Sequence, residues 1–313
     1  MATASVTQGT AERGNTPGLY QWWRRNQRKI SPYLFVAPFF IIFLVFGLYP
    51  IVYSFVLSFY KGFGFEQKAF FGLGNYIHLF QDPRYGKAVI NTTKYAAGSV
   101  FILAPLALLV ALAINSAFVR WKSFYRTALF FPVITSSVVI AIIFARVFDQ
   151  QYGLLNTALG WFGVPQIPWL ADANVVMNSF ILMGIWTWLG INTLYWLAGL
   201  NGISAELYDA AAVDGANKWD SFWNITIPML RPVMLFVVIQ AIVGSYNLFE
   251  GPFLLTSGGP SDGSLTMALY IYVQGFQNFN VGYASAIAYS MTVILLILSL
   301  VNIRLFGWRG VGE

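Results

Sequence analysis

Cysteine is absent from this 313-residue chain, and histidine occurs once, as His78. The absence of cysteine excludes a disulfide framework, thiolate metal sites and cysteine nucleophiles. A metal site or a nucleophilic triad built on His78 lacks the partners it would need, so a satisfied surface or loop histidine is the favoured interpretation. The Gly-x-x-x-x-Gly-Lys-Ser/Thr phosphate loop is also missing. We therefore expect no catalytic site, metal or cofactor in this chain, and no ATP hydrolysis through such a loop.

Charged side chains are scarce as well, at 10% of the residues, against roughly 25% in a soluble globular domain. Hydrophobic residues make up 58%. The net charge is +6, but the Lys and Arg residues form short clusters between long apolar runs, which does not favour nucleic-acid binding. The composition indicates that the lipid bilayer is the solvent of this chain.

Six segments are long and apolar enough to cross the roughly 30 Å hydrocarbon core of a bilayer. They are 33–59, 89–116, 124–148, 175–200, 227–249 and 284–306. We expect each to be a helix, because an isolated strand leaves its backbone polar groups unsatisfied in lipid. Pro228, Pro232, Gly244 and Asn247 interrupt the fifth, as is tolerated where a helix lines a cavity or packs on neighbours. The predicted fold is an all-α integral membrane protein with six transmembrane helices.

The distribution of Lys and Arg predicts the orientation, because cytoplasmic loops carry an excess of basic residues. With the N-terminus in the cytoplasm, that side receives Arg13, Arg24, Arg25, Arg28, Lys29, Arg120, Lys122, Arg126, Lys218, Arg231, Arg304 and Arg309. The opposite side receives Lys61, Lys68, Arg84 and Lys87. We predict a cytoplasmic N-terminal tail over 1–30 and a transmembrane domain over 31–313. The protein would be a multi-pass component of the cell (inner or plasma) membrane, with both termini in the cytoplasm.

The connection between the fourth and fifth helices, 204–222, is the most informative stretch. Ser204 can cap a short helix with Glu206 in its first turn, and alanines at 210, 211 and 212 favour helix formation. Gly215 is suited to end that helix or to permit a close backbone contact. The pattern predicts a short helix with a small-residue face on the cytoplasmic surface, suited to dock in a groove of another protein.

This stretch resembles the coupling-helix motif of permease subunits of ATP-binding cassette (ABC) importers, which runs Glu-Ala-Ala, Asp-Gly-Ala, then Phe, Ile, Pro and Pro. The matching residues are Asp209, Ala210, Ala211, Asp214, Gly215, Ala216, Phe222, Ile225, Pro228 and Pro232. Asp209 replaces the usual Glu, Ser204 stands where Pro is common, and Ile227 stands where Leu is usual. The resemblance implies a contact with a separate ATPase through Glu206, Asp209, Ala210, Ala211, Asp214, Gly215, Ala216 and Phe222.

Three further stretches resemble the carbohydrate-uptake branch of that family, with its maltose-type and glycerol-phosphate-type permeases. They are 71–76, 148–156 and 256–260, each following a predicted membrane helix. The resemblance implies four kinds of partner: a second homologous permease, two ATP-binding cassette subunits that bind ATP and Mg²⁺, an extracytoplasmic solute-binding protein, and a di- or oligosaccharide substrate. Glycerol phosphate or a polyol is the open alternative. A phosphate would require Arg or Lys facing the pathway, and the fourth and fifth helices have none beyond Arg231.

A function of another class, as a stand-alone secondary transporter or a membrane enzyme, is the runner-up. Secondary transporters commonly carry acidic residues near the bilayer centre, and no predicted crossing has one there. Glu250 and Arg146 fall at the outer ends of the fifth and third helices. Their positions allow either an ion pair or two solvated charges.

Polar groups beside aromatic rings indicate a candidate substrate pathway between the fourth and fifth helices, as sugar recognition requires. The candidates, from 188–193 and 245–247, are Leu189, Gly190, Asn192, Thr193, Ser245, Tyr246 and Asn247. In the maltose-type relatives, residues that match Leu189, Gly190, Thr193 and Ser245 contact the sugar, with Tyr in place of Thr193. The polar candidates have a second interpretation, as hydrogen-bonding groups between helices.

Overall fold

The computed structural model describes residues 18–62, 69–116 and 119–306. The chain forms two compact units, divided after Ser54. Arg13, Lys68 and Arg309, which enter the predicted orientation, lie outside the described residues.

The described part of the first unit is helical, and this helix begins well before the apolar run and continues past Ser54. Helix α1 (Gly18–Ile42), a π-helical turn (Phe43–Leu48) and α2 (Tyr49–Leu57) follow one another without a break. The stretch Asn26–Leu57 is long and apolar enough to span a membrane. Part of the predicted tail over 1–30 is therefore helical from Gly18 onward.

The second unit starts with a short hairpin and the second span. Strands β1 (Tyr60–Lys61) and β2 (Ala69–Phe70) pair antiparallel, with Tyr60 opposite Phe70. Helix α3 (Gly74–Gln81) follows, and then α4 (Pro83–Gly98), a π-helical turn (Ser99–Leu103) and α5 (Ala104–Asn115) form one span. Asp82 caps α4, since its carboxylate accepts the Arg84 N–H at 2.9 Å and Pro83 occupies the first turn.

The third predicted crossing is broken. Helices α6 (Lys122–Ile134) and α7 (Ser137–Val147) meet at an angle of 96°. Thr135 and Ser136 between them have ψ near +139° and +136°, an extended backbone that a continuous helix does not allow. The prediction of one helix over 124–148 is wrong at this point.

The remaining spans are α9 (Val176–Asn201), the stretch Arg231–Leu255, and α16 (Val281–Phe306). The other elements are α8 (Leu154–Gly160), α10 (Ala205–Val213), α11 (Lys218–Ser221), a π-helical turn (Phe222–Thr226), α12 (Ile227–Met229), α13 (Arg231–Tyr246), α14 (Glu250–Leu255), α15 (Met267–Tyr272) and a π-helical turn (Val273–Gln277). Within the described residues, five spans are complete, or six if α6 and α7 count as one. The predicted all-α membrane fold is confirmed.

Helix α9 lies at the centre of the second unit and packs on α4, α5, α6 and α13. On α5, Ala104, Ala107 and Ala111 are buried against Trp196 and Leu197 of α9. Small side chains at this spacing allow two helices to approach closely, which is how helices associate in lipid. The Trp196 indole N–H donates to the carbonyl oxygen of Ala104 at 3.0 Å. This packing fixes α9 beside α13, where the candidate pathway lies.

Candidate substrate pathway and coupling segment

A cavity of about 200 Å³ lies among the second, fourth and fifth spans, near the middle of each. Its wall consists of Tyr95, Ser99, Leu103, Trp188, Ile191, Asn192, Tyr195, Gln240, Ala241, Gly244 and Ser245. All of these side chains are uncharged. The wall combines aromatic rings with amide and hydroxyl groups, the chemistry of a site for a neutral polyhydroxylated ligand.

The residues of the wall follow helical spacing. On α9, Trp188, Asn192 and Tyr195 recur at i, i+4 and i+7 and therefore share one face. The same four-residue step separates Gln240 from Gly244 on α13. A Cβ at Gly244 would meet no atom within 4 Å, so the backbone borders open space there.

Some polar side chains of the wall already make hydrogen bonds within the protein, and others do not. Asn192 donates its Nδ2–H to the Trp188 carbonyl at 2.9 Å, and the Ser245 hydroxyl donates to that of Ser99 at 3.0 Å. The Gln240 side chain makes no hydrogen bond within the described part of the chain. Its two donors and its acceptor are therefore available to a ligand.

Two of the seven predicted pathway residues, Asn192 and Ser245, line the cavity. Gly190 instead packs on α6, where a Cβ would come within 1.7 Å of the Leu129 carbonyl oxygen. Thr193 is buried, and its hydroxyl donates to the carbonyl of Leu189 at 2.8 Å. Leu189 packs at the α5–α9 contact. These three residues serve helix packing in the structure and lie outside the cavity wall.

The last two predicted residues lie near the C-terminal end of α13. Tyr246 is buried, and its hydroxyl lies 3.1 Å from that of Thr93 on α4. Asn247 follows α13, is exposed, and donates its Nδ2–H to the Val243 carbonyl at 2.9 Å. Neither side chain lies in the wall of the cavity.

Sequence reasoning missed four polar or aromatic residues of the wall: Tyr95, Ser99, Tyr195 and Gln240. Helical spacing offered a detectable signal for three of these four residues. Tyr95 and Ser99 are four residues apart in the second span, and Tyr195 continues the face of Asn192. The candidates came from contiguous stretches of sequence, whereas a helix presents every third or fourth residue to one side.

Ionisable groups near the ends of the spans do not pair as one alternative allowed. Helix α14, which Glu250 begins, packs on α7, which carries Arg146 in its last turn. Among the described residues, however, the salt bridge is between Arg84 and Asp262, and Glu250 is exposed. The solvated interpretation of Glu250 therefore fits the structure better than an ion pair.

The coupling segment is built as the sequence predicts, with a capped start and a glycine end. The Ser204 hydroxyl accepts the N–H of Glu206 at 3.3 Å at the start of α10. After α10, the Ala216 N–H donates to the Ala211 carbonyl at 2.9 Å, and Gly215 has φ of +82°. This arrangement is a Schellman-type end, which requires a left-handed residue at the glycine position. Gly215 ends the helix through its backbone conformation, because no atom lies within 4 Å of a Cβ built there.

The predicted coupling residues lie on α10 and in the turn after it, except for Phe222, which begins the π-helical turn after α11. Glu206, Asp209, Ala210, Asp214 and Gly215 are exposed, and Ala211, Ala216 and Phe222 are half-buried. Apolar side chains interrupt this charged surface, since Val213 is 89% exposed and Trp219 is 67% exposed.

At the other end of the spans, one carboxylate joins three helices. Asp82 accepts hydrogen bonds from the hydroxyls of Tyr270 on α15 and Tyr283 on α16, the latter at 2.6 Å. Burial raises the pKa of the Asp82 carboxyl, but these hydrogen bonds and those from the Arg84 and Tyr85 backbone N–H groups outweigh it, so the pKa is lowered. Burial and the bond to Asp82 raise the pKa of the Tyr270 phenol to about 12. The cluster holds its charge and its hydroxyl protons at neutral pH.

Each of the stretches 71–76 and 148–156 contains a buried asparagine that makes hydrogen bonds to neighbouring loop residues. Asn75 donates its Nδ2–H to the carbonyls of Ser58 and Tyr60, at 2.8 and 2.9 Å, so that α3 is tied to the hairpin. The Asn156 amide donates to the Ile167 carbonyl and accepts the Trp169 indole N–H, both at 2.9 Å. The polar residues in these motifs organise the loops.

Residues 101–308 match the sequence pattern of the family described as the binding-protein-dependent transport system inner membrane component. The chain belongs to this family. It is therefore a non-catalytic membrane subunit, the permease of an ABC importer of the inner membrane. The family assignment confirms the resemblance drawn from the coupling-helix motif.

The relatives of this permease include several importers of carbohydrates. The arabinooligosaccharides transport system permease AraP of Bacillus subtilis is 38% identical over 98% of this chain and 99% of its own. The lactose permease LacF of Rhizobium radiobacter is 36% identical over 86% of this chain and 92% of its own. The sn-glycerol-3-phosphate permease UgpA of Brucella abortus is 30% identical over 88% of this chain and 94% of its own.

A solved structure shares the fold of this permease. A chain of a bacterial alginate ABC transporter, crystallised in complex with an alginate pentasaccharide-bound periplasmic protein, superimposes with a TM-score of 0.78 and 25% identity. The match covers 92% of this chain and 99% of that one.

Proposed function

We propose that this permease forms part of the pathway for a neutral di- or oligosaccharide, which an extracytoplasmic solute-binding protein delivers. The observation that carries the proposal is the uncharged wall of the cavity, with Trp188 and Tyr195 beside the amides of Asn192 and Gln240. Aromatic faces pack on the apolar faces of sugar rings, and amides both donate to and accept from hydroxyl groups.

The wall favours a neutral sugar over a phosphorylated or acidic one. An anion buried at mid-membrane needs a cationic partner, because an unpaired buried charge is costly. No Lys or Arg is among the residues of the wall. Arabinooligosaccharides and lactose, for which two relatives are named, are neutral and suit this wall, whereas glycerol phosphate, for which a third is named, is an anion. A glycerol phosphate or polyol permease is the alternative that the test must separate.

The size of the cavity supports a second permease as partner. At about 200 Å³ it is smaller than the roughly 300–1,000 Å³ of a typical small-molecule site. We therefore infer that a homologous permease completes the pathway from the other side. A separate pair of ATP-binding cassette subunits would bind ATP and Mg²⁺ and contact the exposed surface of α10.

The same proposal fixes the orientation and the division of the chain. The surface of α10 must face the cytoplasm to meet an ATPase, and the basic residues Lys122, Lys218 and Arg231 then lie on that side, as cytoplasmic residues do. Both termini would be cytoplasmic, with a tail over 1–30 and a transmembrane domain over 31–313.

Purification of the complex through a tag on this chain, followed by reconstitution into liposomes, tests the proposal. We expect an ATPase and a second permease to copurify, and ATP to drive uptake of labelled arabinooligosaccharide or lactose when the solute-binding protein is added outside. Glycerol 3-phosphate should not be taken up. Uptake of glycerol 3-phosphate in preference to either sugar would overturn the assignment of substrate class. Uptake without an ATPase would instead indicate a secondary transporter.

A further inference from the structure

We propose that the hydroxyl groups of Tyr208 and Thr226 form the link through which movement of α10 reaches α13 and the cavity. The inference rests on the proposed function, in which a partner ATPase moves α10. Tyr208 Oη lies 2.9 Å from Thr226 Oγ1. Within the described residues, this is the side-chain hydrogen bond that joins α10 to the chain that enters α13.

Helix α10 contacts the rest of the chain through one narrow face. Tyr208 and Ala211, three residues apart, are its half-buried residues, and the other seven are exposed. Residues three apart lie on the same side of a helix. A displacement of the exposed surface of α10 therefore reaches the helices around it through Tyr208 and Ala211, and of these two side chains only that of Tyr208 is polar.

Thr226 is anchored in the helical core at the other end of the bond. It is 4% exposed, and its carbonyl accepts the N–H of Leu230 at 3.0 Å. Leu230 is fully buried and touches α9, since a Cβ at Gly199 would lie 2.8 Å from its Cδ2. Helix α13 begins directly after Leu230. Gln240 of the cavity wall lies about 20 Å further along the helical chain than Thr226, at a rise of about 1.5 Å per residue.

The covalent route from α10 to α13 is longer and less direct. It passes through Gly215, in the left-handed conformation, and through the four-residue helix α11. Small changes of φ and ψ at a glycine and at the ends of a short helix absorb a displacement, as they do at hinges. The hydroxyl pair bypasses this stretch, so it transmits a displacement that the backbone would absorb.

The test compares Y208F and T226V with the unaltered complex in liposomes, with labelled arabinooligosaccharide as probe. Each variant removes one hydroxyl and keeps the side-chain shape. We expect the amount of sugar transported per ATP hydrolysed to fall roughly two- to tenfold, as for a lost hydrogen bond. The double variant should be no worse than either single one, and T226S, which restores the hydroxyl, should recover the ratio. Y85F is the matched control, because it removes the 3.0 Å hydroxyl pair of Tyr85 and Ser290 elsewhere in the bundle.

The outcomes separate this link from the proposed function. An unchanged ratio in Y208F and T226V, an equal loss in Y85F, or an additive loss in the double variant would overturn the link alone. Loss of the copurified ATPase from both single variants would overturn it too, since the bond would then serve assembly. An unaltered complex that shows no ATP-driven uptake of any sugar tested would count against the proposed function, and against the link with it.

Discussion

Gly190 of α9 lies directly against the backbone of Leu129 of α6, so that a Cβ at 190 would stand 1.7 Å from the Leu129 carbonyl oxygen. Backbone atoms cannot move aside to relieve a clash as the end of a flexible side chain can. We expect Gly190→Ala to separate α6 from α9 and to lower the yield of assembled complex before any effect on transport. Size-exclusion chromatography of the tagged complex measures that yield.

Gly244→Ala is the matched control, because a Cβ there meets no atom within 4 Å. Its assembly should equal that of the unaltered protein. Gly244→Leu should also assemble, but its side chain would occupy part of the 200 Å³ cavity and reduce transport of the longer oligosaccharides first. Normal assembly of Gly190→Ala would show that α6 and α9 are not in contact at this point.

The composition of the cavity wall leads to a prediction about substrate affinity. Gln240→Ala and Trp188→Ala remove an unbonded amide and an aromatic face from the wall, and should each weaken transport by roughly tenfold or more, as for one or two lost hydrogen bonds or a lost stacking surface. Thr193→Val is the control, because the Thr193 hydroxyl is bonded to the Leu189 carbonyl outside the wall. Initial rates of uptake against sugar concentration provide the comparison. Strong loss in the Thr193 variant with none in the other two would place the pathway elsewhere.

Gly215 makes a prediction about the coupling segment. Its φ of +82° costs a residue with a side chain roughly 1–2 kcal/mol, most for a β-branched one. Gly215→Val should therefore alter the end of α10 and reduce sugar-stimulated ATP hydrolysis. Gly215→Asn should retain most of this ATP hydrolysis, because asparagine tolerates the left-handed conformation. Gly86→Ala is the control, since Gly86 has open space and no positive φ. If Asn and Val were equally harmful, the requirement at 215 would be for small size and not for backbone conformation.

The absence of cysteine allows a direct test of orientation with single introduced cysteines. Gly160→Cys, at the last residue of α8 and facing open space, should react with an impermeant thiol reagent from outside. Lys218→Cys, at the exposed start of α11, should react only after the membrane is opened. The reverse pattern in sealed right-side-out vesicles would invert the proposed topology.

Hydropathy predicts the number of spans here because the energetic cost of polar backbone in lipid dominates, and the caps at Ser204 and Gly215 predict the coupling helix because they act within a few residues. The 96° break at Thr135 and Ser136 was not predictable in this way. Membrane helices tolerate a proline with hydroxyl side chains nearby, so Pro132, Thr135 and Ser136 do not by themselves indicate a break.

In the candidate pathway, local sequence patterns did not predict which polar side chains line the cavity. Asn192 and Thr193 are adjacent in sequence and equally polar, yet one lines the cavity and the other is buried against its own helix. Only the rotation of α9 about its axis distinguishes them, and contacts such as that of Gly190 with Leu129 fix this rotation. Those contacts join residues about sixty positions apart, beyond the reach of local patterns.

We propose that this permease works as the membrane part of an ATP-driven importer of neutral oligosaccharides. The most direct measurement is uptake of labelled arabinooligosaccharide into liposomes that contain the purified complex, with the solute-binding protein outside and ATP enclosed. We predict uptake that requires both ATP and the binding protein, and that falls sharply in Gln240→Ala while ATP hydrolysis in the absence of sugar is preserved. Uptake driven by an ion gradient with no ATP enclosed would show that this protein does not work in an ATP-driven importer of these sugars.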